Sequence, residues 1–573
     1  MIDSALLVDP APRLGPAPTL AGAQPALTAQ PAPDSRRRAP RRAWMLESVG
    51  VAIAVTLALL AVWHIDATDR SWMLYYDGDT VLPAIVRGSV LSGQQQDWAL
   101  SAVLFLPEMG MYYALAALGL GVKGTFALSA VVNLVLFYGA LRFLSGMVQQ
   151  DLPRARRVAG ALIAFAAMMA LTFLEQAPEH ESFEFASLLA TTTYYSVTIL
   201  AAVATTGMAA RLAAAPAASR RRWVELTLLG VSALSTLTNP LYVAWEVAPL
   251  AVVFALMAWR RALSWRRIAR IGCVLAVGIG AGLAARIPFE PLILKDGPAY
   301  ANFGLTRVMA IYYPEMLAER TSTLTGAVSL TFIVALILVA AIVFRRSLAA
   351  RDTVAAVVSG VGWVTPLAIF AGTIILGLYG TRYLQPMFFD PICLLVLAPR
   401  LFRSGQAADW LGHRLAARAA IAKARIARAR RALLAGAAVA ALGASAAATG
   451  TLVSSGAVVN PDIVCVDAWI TASHQTGAGD FWAIRGPKAY LADPSQLIQV
   501  DGSFYAYPWL TDRVDYARPN VSFVLMDTAK PALTLPAEAQ TAPSSTVRCG
   551  RYTITDFGGP VLPIGPIAPY LTS

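Results

Sequence analysis

The amino-acid sequence predicts an all-α polytopic membrane protein with about eleven transmembrane helices, followed by a small C-terminal extracytoplasmic domain of α+β or β type. Of its 573 residues, 57% are hydrophobic and 14% are charged, and its mean hydropathy is +0.57. Soluble domains carry about 25% charged residues. The net charge of +12 resides largely in short arginine clusters between apolar runs, as topology signals do, so it does not indicate a nucleic-acid partner.

The N-terminal region divides into a tail and a first span. Residues 1–42 are rich in Ala and Pro and end in two arginine clusters, which predicts a disordered cytoplasmic tail. The apolar run 43–65 is long enough to cross the ~30 Å hydrocarbon layer of a bilayer. Because this run is too long for the apolar part of a signal peptide, we interpret it as an uncleaved anchor.

The predicted transmembrane domain covers residues 43–454. Its further apolar spans lie near 124–147, 157–176, 187–211, 223–239, 243–259, 268–286, 323–344, 353–376, 385–402 and 432–454. They alternate with the arginine clusters only if the segment 98–120, interrupted by Pro107, lies at the membrane interface or re-enters it. The first outer loop is then 66–123, the N-terminus is cytoplasmic and the C-terminus is extracytoplasmic.

Two polar regions accompany these spans. The basic stretch 406–431 predicts a cytoplasmic amphipathic helix on anionic lipid, or a plain basic connector. Residues 455–573 contain short β-like runs and form the predicted external domain. Cys465 and Cys549 lie there and could form a disulfide if the domain faces an oxidising compartment. The four histidines show no metal-ligand spacing.

The candidate catalytic residues are Asp77 and Asp79, two carboxylates separated by Gly78 just beyond the first span. Carboxylates at a bilayer surface can serve as the general base for a reaction on a lipid-linked substrate. An Asp-Gly-Asp triplet is also typical of a solvated turn, because glycine permits the backbone angles that turns require. The pair alone does not decide between these interpretations.

The long acidic first outer loop, followed by a helix with the pattern Pro-Glu-x-x-x-Tyr-Tyr, resembles the GT-C-type membrane glycosyltransferases. This superfamily includes the protein O-mannosyltransferases and the aminoarabinose transferases that modify lipid A. The resemblance covers the pattern of about the first 210 residues and the helix count. It implies an acidic residue in the first outer loop that activates the acceptor or binds a divalent metal, and a sugar donor on polyprenyl phosphate.

By position, the resemblance assigns the catalytic role to Asp77 or Asp79. It assigns a second acidic site, with a substrate-binding role, to Glu108 or Glu179. The Asp-Glu or Asp-Asp pair that is frequent in the superfamily is split here by Gly78, which leaves open which carboxylate acts.

Two more residues are candidates for substrate binding. Arg382, between two late spans, could hold a lipid phosphate at the outer rim, or it could be an interfacial arginine beside Tyr383. His180 lies between Glu179 and Glu181 and could orient a substrate or ligate a metal with them. Three adjacent residues do not easily share a face, so a solvated loop is the alternative interpretation of this segment.

These features favour a glycosyltransferase at the outer face of a bacterial plasma membrane. Its expected partners are a polyprenyl-phosphate-linked sugar donor, an envelope lipid or glycan acceptor, and the membrane lipids. A transporter or flippase of envelope lipids or polysaccharide is an alternative, but transporters carry ionisable residues within their spans, and the predicted spans are nearly free of charge. A noncatalytic membrane scaffold would require no function of Asp77 or Asp79.

Overall fold

The structure is a computed structural model that describes residues 33–215, 218–294, 301–401 and 443–568. The chain divides into two compact units, Met1–Met45 and Leu46–Ser573, and all contacts reported below lie within the second. Most of the predicted disordered tail and the predicted amphipathic helix 406–431 lie outside the described residues. The first helix, Pro33–Asp66, begins before the predicted end of that tail, in a stretch whose arginines favour helix.

Seven helices of the described chain have the length and apolar composition to cross a membrane. They are Trp44–Asp66, Gly121–Val148, Arg154–Thr172, Ser196–Ala213, Trp265–Leu292, Leu324–Ala349 and Thr353–Ile375. Leu82–Leu91 and Val243–Trp259 are shorter apolar helices. The predicted span 385–402 is broken into the helices Pro386–Cys393 and Ala398–Leu401 with a 3₁₀ turn, Leu394–Leu397, between them. Pro399, just after this turn, has no N–H to donate to the carbonyl of Leu395, so a regular helix cannot continue there. The count of eleven spans stays a prediction.

The helical part contains further helices. Among them are Ser71–Tyr75, Leu106–Ala116, Ala218–Thr238 and Thr306–Ser322. The Leu106–Ala116 helix has 11 residues and is too short to cross the ~30 Å hydrocarbon layer. It lies within the segment 98–120, which the sequence predicts to lie at the membrane interface or to re-enter the membrane.

Small residues allow neighbouring helices to approach closely. Gly278 and Gly282, four residues apart on the helix Trp265–Arg286, face Leu229 and Ala233 of the helix Ala218–Thr238. A Cβ atom at Gly282 would overlap the carbonyl oxygen of Ala233. Such small-residue contacts replace the hydrophobic effect as the source of helix association within a membrane.

The C-terminal region contains a seven-stranded mixed sheet. In spatial order its strands are Gly565–Ile567, Tyr505–Ala506, Leu497–Val500, Gly477–Asp480, Phe523–Asp527, Tyr552–Asp556 and Ser545–Cys549. The helices Pro461–Ser473 and Phe481–Tyr490 pack on the sheet. A disulfide joins Cys465, on the first of these helices, to Cys549 on the last strand in this order.

This C-terminal region packs directly on the first outer loop. The short strand Trp98–Ala99 pairs antiparallel with Thr511–Asp512. Arg513 donates a hydrogen bond of 2.8 Å to the carboxylate of Asp97, and the helix Leu82–Leu91 contacts the helix Phe481–Tyr490. The polar segments that the topology assigned to the outer face therefore meet at one end of the helical part.

Candidate active site

Asp77 fixes the turn that carries the carboxylate pair. Its Oδ1 atom accepts hydrogen bonds from the backbone N–H groups of Asp79 and Thr80, at 3.1 and 3.2 Å, and from the hydroxyl of Tyr194 at 2.9 Å. This is the backbone pattern of an Asx turn. One interpretation of the Asp-Gly-Asp triplet was a solvated turn. The turn is present, but it is not solvated at Asp77, whose side chain is only 4% exposed.

A buried arginine from the C-terminal region holds the same turn. Arg485, on the helix Phe481–Tyr490, is 0% exposed and donates from Nε to the carbonyl oxygen of Gly78 at 2.5 Å. Its Nη1 atom donates to the carbonyl oxygen of Leu510, also at 2.5 Å. Gly78, the residue that splits the carboxylate pair, is therefore fixed through its carbonyl. Sequence reasoning missed Arg485, whose one local signal is a cation inside an apolar helical segment.

Asp79 forms an ion pair with Arg382. The Oδ2 atom of Asp79 lies 3.1 Å from Nη1 of Arg382, and both side chains are largely buried. Arg382 belongs to the 3₁₀ turn Thr381–Leu384, which follows Gly380, where the φ angle of 126° requires glycine. Burial raises the pKa of the Asp79 carboxyl; Arg382 opposes this shift, and the neighbouring charge of Asp77 adds to it.

His180 and Glu181 bring the second outer loop to this pair. The ring of His180 stacks on Trp482, with centroids 4.3 Å apart, and its Nδ1 atom is 3.6 Å from Oδ2 of Asp77. The Oε2 atom of Glu181 accepts hydrogen bonds of 2.9 Å from the backbone N–H of Thr381 and from the hydroxyl of Tyr312. Glu181 thus ties the loop of His180 to the turn of Arg382.

A second buried arginine orders the rest of that loop. Arg70 donates to the carbonyl oxygens of Ala177 and Glu179, at 2.7 and 3.0 Å. Glu184 in turn lies 2.5 Å from Arg320. These contacts use only the backbone of Glu179, whose side chain is exposed.

A cavity of about 600 Å³ opens between the helical part and the C-terminal sheet region. The helical part contributes Asp79, His180, Glu181 and Arg382 to its wall. The C-terminal region contributes the acidic residues Asp480 and Asp501 and the aromatic residues Trp482, Tyr507 and Trp509. A concave site that combines ring faces with a few polar groups suits a ligand with both apolar faces and hydroxyl groups.

The cavity brings together only some of the residues selected from the sequence. Asp79, His180 and Arg382 line it, whereas Asp77, Glu108 and Glu179 do not. Glu108 is 3% exposed, and its Oε1 atom accepts a hydrogen bond of 3.4 Å from the backbone N–H of Val197, near the start of a helix. Burial raises the pKa of Glu108 to about 7.

Carboxylates and one histidine lie near the cavity, but they do not form a metal-binding group. Across the ranges that the structure describes, no group of three or more His, Cys, Asp or Glu side chains is arranged to hold a metal ion.

Two carboxylates are almost completely buried inside the helical part. Glu246 and Asp390 lie within predicted spans and are 0% and 1% exposed. Glu246 accepts a hydrogen bond of 2.9 Å from the hydroxyl of Thr206. Carboxylates this deep in a helical bundle are tolerated when neighbouring polar groups solvate them.

Comparison with solved structures identifies the fold alone. That fold agrees with the architectural resemblance to the GT-C-type membrane glycosyltransferases that the pattern of the first outer loop predicted. It is similar to the apo structure of ArnT from Cupriavidus metallidurans, with 15% identity and a TM-score of 0.51, over 89% of this chain and 98% of that one.

Other comparisons add less. The apo structure of the Archaeoglobus fulgidus oligosaccharyltransferase is 13% identical, with a TM-score of 0.47, over 85% of this chain and 69% of that one. No protein-family model matches the chain. No curated protein matches its sequence.

Proposed function

We propose that this protein is a membrane glycosyltransferase that moves a sugar from a polyprenyl-phosphate donor to a cell-envelope lipid or glycan, at the outer face of a bacterial plasma membrane. The observation that carries the proposal is the Asp79–Arg382 ion pair in the cavity wall, with 3.1 Å between carboxylate oxygen and guanidinium nitrogen. Glycosyl transfer from a phosphate needs a base for the acceptor hydroxyl and a cation for the departing phosphate. This pair supplies both.

The hydrogen bonds of the two aspartates favour Asp79 as the base. One oxygen of Asp77 already accepts three hydrogen bonds, and Asp77 does not line the cavity. Asp79 lines the cavity, and its raised pKa makes its carboxylate a stronger base than an exposed aspartate. Asp77 therefore shapes the turn that presents Asp79, and His180 lies beside both.

The reaction exchanges one carbon–oxygen bond for another. The donor phosphate takes over the guanidinium of Arg382, which frees the carboxylate of Asp79. The acceptor hydroxyl oxygen then attacks the anomeric carbon while its proton passes to Asp79. The bond from that carbon to the phosphate oxygen breaks, and the polyprenyl phosphate leaves with the electron pair, stabilised by Arg382 through charge-assisted hydrogen bonds.

The two sides of the cavity suit different substrates. Leu305, Leu378 and Tyr379 line it next to Arg382, and Tyr379 is 59% exposed. This apolar side suits the first isoprene units of a lipid donor. Trp482, Tyr507 and Trp509 suit the ring faces of the acceptor.

Envelope composition in a deletion strain tests the proposal. The strain is complemented with the wild-type chain, with Asp79→Asn, and with Asp69→Asn as a matched control, because Asp69 is an exposed carboxylate of the same loop. We expect the wild type and the control to restore the glycan and Asp79→Asn to fail at equal protein levels. Restoration by Asp77→Asn, Asp79→Asn and the double variant alike would remove the proposal's main support.

The buried carboxylates Glu246 and Asp390 favour transport of an envelope lipid as a second candidate function. Reconstituted vesicles separate the two. A transporter moves labelled lipid-linked sugar across the bilayer without an acceptor and loses this activity in Glu246→Gln. A glycosyltransferase produces glycosylated acceptor, and Glu246→Gln leaves that product unchanged.

A further inference from the structure

A groove with a basic rim lies at the other end of the helical bundle from Asp79. It has a volume of about 610 Å³ and lies where the helices Ala248–Trp259 and Leu324–Ala349 end. The chain enters the second of these helices at Thr323 on the side of the candidate active site, and Arg345 lies near its far end. The groove is therefore separate from the cavity of Asp79 and Arg382.

The lining of this groove has two kinds of surface. Its floor is apolar and includes Leu256, Phe344 and Trp363, with the last two rings 5.9 Å apart. Its rim carries two arginines, Arg260 and Arg345. No acidic side chain is among the described residues that line the groove. An anion with an apolar tail is the ligand that matches this combination.

A tryptophan marks the depth of the groove in the membrane. Trp259, on its rim, is 74% exposed and lies 5.3 Å from the guanidinium carbon of Arg260. Exposed tryptophans at the ends of apolar helices are typical of the level of lipid headgroups. The two arginines of the rim are therefore placed at the height of lipid phosphates.

We propose that this groove binds one anionic phospholipid, with its phosphate between Arg260 and Arg345 and its acyl chain on the apolar floor. Guanidinium groups suit this ligand because their planar array of donors matches the oxygens of a phosphate. A neutral phospholipid has the same phosphate, but its cationic headgroup lies beside the two arginines and meets no carboxylate in the lining. The site therefore selects lipids by net charge.

Native mass spectrometry of the detergent-purified full chain tests the proposal. The chain is titrated with phosphatidylglycerol and with phosphatidylcholine of identical acyl chains, and inorganic phosphate is added as a competitor. We expect phosphatidylglycerol to bind preferentially and inorganic phosphate not to displace it. Arg260→Gln and Arg345→Gln should each weaken its binding by about five-fold, and the double variant by about twenty-five-fold.

Arg346→Gln is the matched control, since Arg346 is the exposed neighbour of Arg345 on the same helix and does not line the groove. We expect its affinity for phosphatidylglycerol to stay within two-fold of wild type. The double variant Arg260→Lys, Arg345→Lys keeps the positive charges but removes the planar arrays of donors. It replaces the glutamine variants in the experiment if those do not fold. An intermediate loss in this variant supports the proposal.

Three results would overturn it. If phosphatidylcholine bound as tightly as phosphatidylglycerol, the groove would recognise only the acyl chains and not the charge of the headgroup. An equal loss in Arg346→Gln would assign the effect to general surface charge. If inorganic phosphate displaced phosphatidylglycerol, the groove would be a site for a free anion and not for a lipid.

Discussion

The two walls of the candidate active site differ in kind. The wall from the helical part carries charged groups in contact, with Asp79 and Arg382 3.1 Å apart. The wall from the C-terminal region carries the rings of Trp482, Tyr507 and Trp509. If the proposed function is right, the first wall makes and breaks bonds and the second recognises the acceptor. Rate and recognition should therefore respond to substitutions in different parts of the chain.

One residue of the C-terminal region supports the charged wall of the helical part. Arg485 belongs to the C-terminal region but holds the carbonyl of Gly78, in the turn that presents Asp79. It does not line the cavity. We therefore expect it to act on the rate through the position of the carboxylate, without contact with either substrate.

The largest expected effect on the rate comes from substitutions in the charged wall. Asp79→Asn keeps the size of the side chain and removes its basicity, so kcat should fall by about 10²- to 10⁴-fold. Asp77→Asn retains an oxygen that can accept the hydrogen bonds of the turn, and its loss should stay below about ten-fold. Single-turnover kinetics of the purified variants measure both. Equal losses would contradict the separate roles of the two carboxylates.

Arg485→Met should have the next largest effect. Misplacement of a reacting group by about 1 Å costs about 100-fold in rate, so we expect kcat to fall by about 10- to 100-fold with little change in KM. Arg548→Met, at an exposed arginine of the same region, is the control and should leave both constants unchanged. Thermal unfolding of each variant checks folding, and a partial recovery in Arg485→Lys would support positioning. A loss confined to KM would place Arg485 at the substrate.

The pH dependence of kcat/KM tests the role of the ion pair, because kcat/KM reports the free enzyme, in which Asp79 and Arg382 are in contact. A general base works only when deprotonated, so activity is present above its pKa and is lost as the pH falls through it. Because burial raises the pKa of Asp79, the acid limb should lie above pH ~4, the ordinary range of an aspartate. Arg382→Gln removes the main opposing charge, so the limb should move to higher pH while donor KM rises. A limb that moves to lower pH would contradict the pairing.

The aromatic wall should give a smaller effect, confined to recognition. Ring stacking contributes about 0.5 to 1.5 kcal/mol, so Trp482→Ala should raise acceptor KM by up to about ten-fold and leave kcat nearly unchanged. Steady-state kinetics with varied acceptor measure this split. Trp223→Ala, at a tryptophan that is 73% exposed and does not line the cavity, is the control. A loss in kcat alone would show that Trp482 acts through His180, on which it stacks.

The disulfide should matter least to the rate and most to stability. Cys465 and Cys549 are 84 residues apart, and closing a loop of that length stabilises a fold by about 4 to 5 kcal/mol in the chain-entropy model. We expect the double serine variant to unfold at lower temperature with kcat within two-fold of wild type. Mass spectrometry of unreduced, alkylated protein tests the bond itself. Two free thiols in protein from the membrane would contradict it.

The parts of the site that the sequence could predict are local in the chain. Asp77 and Asp79 stand out because they follow a span directly, and Arg382 because it is a cation in a short loop between two apolar runs. Arg485 and Trp482 could not be found in this way, since each meets its partner only after a residue some 300 to 400 positions away has folded against it. Glu108 was assigned as the second acidic site by the resemblance to the GT-C-type glycosyltransferases, and in the structure its carboxylate accepts a hydrogen bond from the backbone of Val197 instead of lining the cavity.

In the fold too, local features could be predicted from the sequence, whereas features that depend on distant residues could not. Long apolar helices such as Gly121–Val148 follow from composition and length alone. The segment near 385–402 has the composition of a span, but its prolines divide it into short helices whose packing depends on neighbours. The pairing of Trp98–Ala99 with Thr511–Asp512 joins two strands of two residues each, which carry no pattern that a sequence could reveal.

The hydrogen bond from Arg485 to Gly78 also sets an order of events during biosynthesis. The ribosome delivers the Asp77–Asp79 turn early and the arginine that fixes it about 400 residues later. Until that late segment has emerged and docked, the turn lacks one of its anchors and the cavity lacks an entire wall. If the proposed function is right, a growing chain already inserted in the bilayer has no competent site, and catalytic competence arrives as one of the last steps of maturation.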